Sequence, residues 1–336
     1  MKMFQRRFVS CWLRFSFGVM FGLGSASVIY ADGGQRPAAY LEYGVGGAPE
    51  AMAGAAAALR DDPACSFWNP AGLTGIKNIE VEAQNTFLSL NQSLDYFSLG
   101  ANLQDKIYCG LTCLAYSAGN DLEARSGPSL NPDSTFGESE ITAMLSGAFR
   151  LSPRWSGGFS LKLLLNSLGS IQNASGTGFG FDLGLQYRAN NETTFGLAAQ
   201  DPYTVYSYQN SSSTIIPTTL RLGVSRWEMS LHGKGAFDLE WSQDLGLRPR
   251  LGVEWFPFRV LALRGGAWVG DLTSEGAGEQ ANLNLTCGVG VFIPLQSSVM
   301  PGLALVDQIV IDYSLVPDPQ ISGAVLHQIA VTGKFM

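Results

Sequence analysis

The stretch FGFDLGLQYR, Phe179 to Arg188, alternates without interruption. Its odd positions are Phe179, Phe181, Leu183, Leu185 and Tyr187, and its even positions are Gly180, Asp182, Gly184, Gln186 and Arg188. A period of two sends successive side chains to opposite faces of an extended strand, here one apolar and one polar and charged. Length matters as much as period. A tilted strand needs about ten residues to cross a bilayer, whereas strands of soluble sandwiches usually run to about five or six.

The same split recurs outward from this stretch. In SLHGKGAFDLEWS, Ser230 to Ser242, the odd face carries Leu231, Phe237, Leu239 and Trp241, and the even face His232, Lys234, Asp238 and Glu240. RPRLGVEWFP, Arg248 to Pro257, sets Leu251, Val253 and Trp255 against Arg250, Gly252 and Glu254. Such segments begin near Ile79, Leu94, Ile107, Glu140, Trp155, Gly178, Thr193, Thr218, Ser230, Arg248, Val260, Asn282, Gln308 and Ala324. An even number of long strands, with Trp155, Tyr187, Trp241 and Trp255 at strand ends, predicts an all-β fold: a closed antiparallel transmembrane β-barrel of about 14 strands. Tight connections at 151–154 and 256–259 alternate with long polar ones at 118–137, 201–217 and 271–280.

Lipid offers no hydrogen-bonding partners, so the apolar face must point outward and the charged face into the lumen. This predicts a polar lumen network of Lys162, Asp182, Arg221, His232, Lys234, Asp238, Glu240, Arg250, Glu254, Arg264 and Asp312. The signs are mixed, and charges of both signs in a confined lumen pair or hydrate, bracing the wall. Glu240 with Arg250, and Glu254 with Arg264, are expected as neighbours across successive hairpins whose turns centre near Gly246 and Pro257 to Arg259.

Compartment follows from the start of the chain. Lys2, Arg6, Arg7 and Arg14 precede an apolar run from Phe15 and small residues before Asp32, the layout of a signal peptide over residues 1–31. Without it, 17 Lys+Arg face 28 Asp+Glu, an acidic balance that argues against nucleic acid as a partner. With 46% hydrophobic residues, a mean hydropathy of +0.10 and no later apolar run of sufficient length, a helical membrane protein is excluded. Cysteines of an exported chain could pair, but Cys109 and Cys113 share a strand face too far apart to bridge each other, and His232 and His327 lie far from any cysteine, so no metal site is expected. No cofactor is expected. His232 between Ser230 and Lys234 is the one candidate for nucleophilic catalysis, and it lacks the rest of a constellation, so the chain reads as a non-enzyme.

Residues 32–77 break the alternation. GVGGAPEAMAGAAAALRDDPACSFWNPAGLTGI gives glycine turns, an Ala-rich helix around Ala51 to Leu59, and a stop at Asp61-Asp62-Pro63. A segment this short and small-chained cannot form its own core and needs an existing cavity, which the mouth of a barrel at 78–336 supplies. The run GAPEAMAGAAAALRDDPACSFWNPAGL resembles the N-terminal signature of outer-membrane barrels related to the long-chain fatty acid transporter, the FadL-like superfamily. FGFDLGLQYR and RPRLGVEWFPFRVLALRGG are similar to its PorV/PorQ branch. The resemblance implies localisation in the bacterial outer membrane, contact with its lipid, and a hatch whose motif is Trp68, Asn69, Pro70, Ala71 and Gly72. It also implies either passive uptake of a hydrophobic or amphipathic small molecule or a docking role with secretion-system proteins. Phe335 stands one place short of the aromatic C-terminal residue such barrels usually carry.

Overall fold

The computed structural model describes residues 38–335 except 105, 120–121, 125–133, 170–174, 210–212, 271, 273–282, 296–305 and 322. The expected signal peptide and most of the connection at 271–280 lie outside the described residues. Among the described residues fourteen strands form the wall: β1 (Ile79–Phe87), β2 (Ser93–Gln104), β3 (Ile107–Ser117), β4 (Glu138–Arg150), β5 (Trp155–Leu168), β6 (Gly176–Arg188), β7 (Thr193–Gln200), β8 (Thr219–Glu228), β9 (Gly233–Ser242), β10 (Gly246–Phe258), β11 (Leu261–Val269), β12 (Leu283–Pro294), β13 (Val306–Pro317) and β14 (Val325–Phe335). Each starts within three residues of the position the alternation marks. Every neighbouring pair is antiparallel, and β1 pairs with β14 from Ile79↔Phe335 to Phe87↔His327, so the wall closes on itself.

The alternation decides which face each residue takes. Leu145, Leu161, Phe179, Leu183, Leu197, Leu222 and Leu251 are exposed on the outside, while Lys162, Asp182, Glu240 and Arg264 are buried inside. Lipid must meet the outer row, and the inner row must find partners within the lumen. Aromatic contacts such as Trp155 against Tyr187 (ring centroids 4.8 Å apart) and Trp227 against Phe256 (5.5 Å) lie near the short-turn end. The wall changes partner once: the Leu183–Arg188 half of β6 pairs with β7, and its Gly176–Phe179 half pairs with Val205–Tyr208, the first arm of a small hairpin with Ser213–Ile215. Between them Asp201 takes a left-handed conformation (φ 52°), which ends β7 and turns the chain.

Residues 38–76 lie inside the barrel. They comprise a 3-10 turn (Ala39–Tyr43), α1 (Gly47–Ala51), α2 (Cys65–Trp68) and a second 3-10 turn (Pro70–Gly75). The Ala-rich run is not the helix expected over Ala51 to Leu59. Its backbone groups are taken by the wall instead: Thr286 Oγ1 donates to Ala51 O (2.8 Å), Arg250 Nη1 to Ala53 O (2.8 Å) and Ser225 Oγ to Ala58 O (3.1 Å), and Ala57 N donates to Asp238 Oδ2 (2.7 Å). Small side chains let this backbone approach the wall, and those bonds replace the i to i−4 bonds of a helix.

Wall glycines complete the fit. A Cβ on Gly196 would stand 1.9 Å from Ala57 O, and one on Gly158 would stand 2.5 Å from Ala71 N. At both positions only a residue without a side chain lets the inner segment lie flush against the strand.

Candidate functional site

The residues expected as a hatch motif sit at the contact between inner segment and wall. Asn69 is fully buried; its Nδ2 donates to Ala57 O (2.5 Å) and, more weakly, to Leu185 O and Leu197 O on β6 and β7 (both 3.4 Å), while its Oδ1 accepts from Ala71 N (3.2 Å). One amide thus ties two stretches of the inner segment to two strands. Pro70 occupies the first position of the 3-10 turn, where the missing N–H costs nothing. Gly72 leaves room for Leu59 O, which a Cβ would meet at 2.3 Å, and Ala71 is fully buried. Trp68 donates Nε1–H to Val45 O (2.8 Å), and its ring carries the Arg221 guanidinium at 4.6 Å. Thr74 Oγ1 donates to Ser156 Oγ (2.9 Å), and Arg150 Nη2 to Thr74 O (2.9 Å), fastening the segment's exit.

Inward-facing charges gather into ion-pair groups. Lys162 Nζ stands 2.8 Å from Asp182 Oδ1 and 2.9 Å from Asp201, which also accepts from Thr204 Oγ1 (2.8 Å). Glu240 is fully buried and takes three guanidiniums: Arg221 at 2.5 Å, Arg250 at 2.8 Å, and Arg248. Arg264 joins Glu254 (2.7 Å) and Asp312 (2.5 Å). Asp238 accepts from the inner segment at Ala57 N, and Lys234 stands opposite Glu254 in register. Pairing of this kind offsets the cost of holding charge away from water.

Two expectations are corrected. His232 is neither in a strand nor in the lumen. It is exposed in the turn between β8 and β9 with φ 48°, because the strand starts at Gly233, and Ser230 Oγ donates to Glu228 Oε1 (2.8 Å). The β9–β10 turn centres on Asp244, not Gly246, so Glu240 faces Arg248 and Arg250 faces Asp238. The Arg250–Glu240 contact forms diagonally, within the reach of a long side chain. Glu254 and Arg264 are directly opposite.

Sequence reasoning missed Arg248, Asp201 and Glu50. Arg248 could have been found by carrying the even, inward phase of β10 back toward the turn. Asp201 could not, since its burial comes from the left-handed residue that breaks the phase. Glu50 belongs to α1 and is buried beside Gly44, whose Cβ would stand 2.1 Å from Glu50 Oε1. Burial pushes its carboxyl up to about 8, against the opposing pull of Arg250.

Between the inner segment and the wall toward the long-loop end lies a cavity of about 80 Å³, bordered by Phe67, Trp68, Lys162, Arg221, Ile216 and Arg248. Its lining mixes apolar side chains with charged ones.

Comparison with known proteins places the fold. Over 87% of its length the chain superposes on the Pseudomonas putida toluene transporter TodX (99% of that chain, TM-score 0.58, 12% identity). The Ralstonia pickettii toluene transporter TbuX aligns over 87% of this chain and 99% of its own (TM-score 0.54, 15% identity). A Pseudomonas aeruginosa FadL homologue aligns over 87% and 98% (TM-score 0.59, 12% identity). Neither a protein-family sequence model nor any curated protein matches the chain. What the alignments establish is shared architecture: the structural neighbours of this chain are FadL-type barrels.

Proposed function

We propose that the chain is an outer-membrane channel for passive uptake of hydrophobic or amphipathic small molecules, closed at rest by residues 38–76 acting as a plug. The observation that carries this reading is the way the inner segment is held. It fills a closed barrel with an apolar outer belt, and besides the apolar packing of Leu73 and Ile76 against the wall it is held by hydrogen bonds between wall side chains and its own backbone, which water can replace. Three neighbours of this architecture are toluene transporters and a FadL homologue, so transport is the role they support over docking of exported proteins. The cavity of about 80 Å³ falls below the roughly 300 Å³ at which small-molecule sites usually begin, so passage requires the plug to shift. The hatch motif then holds the plug, with Asn69 fastening it to the wall away from the cavity and Trp68 at the cavity's border.

Uptake of toluene into vesicles carrying the protein tests this. Ala51→Cys with Gly288→Cys supplies a lock, since a Cβ on Gly288 would stand 2.6 Å from the Ala51 Cβ and a disulfide needs only a small relaxation from there. In a background with Cys109, Cys113 and Cys287 replaced by Ala, reduced protein is expected to raise uptake several-fold over empty vesicles and oxidised protein to abolish the gain. Equal uptake by reduced protein and empty vesicles would remove the channel reading. Equal uptake by reduced and oxidised protein would remove the moving plug.

A further inference from the structure

Four arginines meet at the short-turn end of the barrel, on the seam between inner segment and wall. Arg60 comes from the inner segment, Arg150 from the end of β4, Arg154 from the β4–β5 turn and Arg188 from the end of β6, and with Ser156 and Thr194 they border one recess. Strand register explains the convergence. Arg150 lies opposite Ser156, Ser156 opposite Gln186, and Arg188 opposite Thr194, while Arg188 N donates to Arg154 O (2.8 Å). The strand residues among them sit at even positions, which on β4 to β7 face the lumen. Arg150 and Arg154 are exposed, and Arg60 and Arg188 are half-buried, so the recess opens to water. Its closed part, about 10 Å³, takes one oxygen-sized atom and leaves the rest of a ligand at the mouth.

The charge of this recess is uncompensated. Lys162, Arg221, Arg248, Arg250 and Arg264 each pair with a carboxylate, but among the described residues none of these four guanidiniums forms an ion pair. Asp61 and Glu192 belong to the surrounding turns and pair with none of them; the Asp61 carboxylate lies against Gly75, where a Cβ would stand 2.1 Å from its Oδ1. Two of the four are held in place by the protein. Arg150 Nη2 donates to Thr74 O (2.9 Å) with its guanidinium 5.4 Å from the centre of the Tyr108 ring, and Arg188 Nη2 donates to Pro153 O (2.9 Å). The Arg60 and Arg154 side chains donate no hydrogen bond among the described residues, and each guanidinium carries five N–H groups. Burial holds the Arg60 guanidinium below the ordinary arginine range; Asp61 opposes this, and the charges of Arg188 and Arg150 add to it. Like charges around one opening attract an anion, and guanidinium forks match the paired oxygens of a phosphate. A dianion offsets more of the repulsion than a monoanion does, and a tetrahedral one has an oxygen for the recess and others for the mouth.

We propose that this recess binds a phosphate group, the dianion of free phosphate or of a phosphate monoester, across the seam between inner segment and wall. One oxygen enters the recess, and the others accept from the guanidiniums at its mouth, so that Arg60 and the wall arginines share one ligand. This inference stands on the recess alone and does not depend on the uptake reading.

Calorimetric titration of the purified, detergent-solubilised protein with sodium phosphate is the test, at mildly alkaline pH and at an ionic strength fixed with sodium chloride. Saturable binding is expected, and acetate, a monoanion, should bind about tenfold more weakly or worse. A parallel titration with phenyl phosphate separates the sources: equal affinity supports free phosphate as the ligand, and tighter binding supports an organic monoester. Arg154→Gln with Arg188→Gln should abolish binding, and Arg60→Gln should weaken it about tenfold, whereas Arg60→Lys, which keeps the charge and loses the fork, should weaken it about threefold. Arg259→Gln, exposed in the β10–β11 turn at the same end of the barrel, should leave it unchanged. Phosphate should also slow proteolysis of the inner segment in the parent and not in Arg60→Gln. Heat-modifiable migration on a gel shows that each variant is a closed barrel. No saturable binding, acetate bound as well as phosphate, or binding indifferent to the Arg154 and Arg188 substitutions would each overturn the proposal, and binding indifferent to Arg60→Gln would overturn its placement across the seam.

Discussion

Substituting Gly196 by Ala would place a methyl carbon 1.9 Å from the Ala57 carbonyl oxygen, against ordinary contact at about 3.4 Å or more, so wall and plug must separate locally by about 1.5 Å. The displaced carbonyl is the acceptor for Asn69 Nδ2 (2.5 Å) and Gln186 Nε2 (3.3 Å), and the same residue donates to Asp238 Oδ2 (2.7 Å). Overpacking costs about 1–3 kcal/mol, and one buried polar group left without its partner costs about another 1–3 kcal/mol. The sum, about 2–6 kcal/mol, falls on the seating of the plug and not on the wall, because Gly196 keeps its ladder positions opposite Gly223 and Gln186. In hydrogen exchange, the amides of residues 47–76 should lose protection by roughly 30-fold or more, at about 1.4 kcal/mol per tenfold, while barrel amides stay protected. Gly235→Ala is the control, since nothing stands within 4 Å of its Cβ position. If residues 47–76 exchange alike in both variants and in the parent, the contact between wall glycines and plug backbone does not hold the plug.

Three further outcomes are expected. Replacing Asn69 and Pro70 together with Ala should leave the β-barrel circular dichroism intact while planar-bilayer conductance rises and proteolysis of the inner segment quickens; parent-level conductance with parent-level proteolysis would reduce the motif to an ordinary turn. Glu240→Gln leaves three guanidiniums around a neutral side chain, a broken buried charge group worth about 3–5 kcal/mol, and should lower the heat-modification temperature more than Arg226→Gln, whose partner Glu228 is exposed. Glu50 holds its proton more tightly in the folded protein than when unfolded, so its contribution to plug seating is complete below about pH 4.5 and is lost as pH rises through about 8, by at most about 1.4 kcal/mol per unit. Plug protection should fall over that interval in the parent and stay flat in Glu50→Gln.

How much of this was legible in the sequence depends on what enforces each feature. Lipid on one side and a lumen on the other act on every strand residue alike, so a period of two in Phe179–Arg188 and its counterparts carries strand number, closure and the inward placement of Lys162, Asp182, Glu240 and Arg264. The plug obeys no such uniform rule. Ala51 to Leu59 reads as helix by propensity, but its backbone groups found partners on strands more than a hundred residues away, and propensity is the weaker term when a wall offers Arg250, Ser225, Asp238 and Thr286. His232 failed for a local reason: a single left-handed residue moved the strand start from Ser230 to Gly233, and a phase argument carries no information beyond the end of its strand.

The glycines show how those two levels meet. Gly180, Gly184, Gly196, Gly252 and Gly266 stand at even, inward positions of the wall, where a glycine by itself weakens a strand. In the structure each faces something that would collide with a Cβ: Thr204 for Gly180, Asn69 for Gly184, Ala57 for Gly196, Met52 for Gly252 and Ala53 for Gly266. Four of the five are met by the inner segment, and the fifth by the residues that follow the break after β7. Small residues on the plug and absent side chains on the wall are therefore one feature written twice. A chain with the same strands but bulkier inner positions would close its barrel and exclude its own N-terminal segment. That makes the pattern of inward glycines, more than the Asn69-Pro70-Ala71 motif, the sequence signal that a barrel of this length is built around a plug of its own.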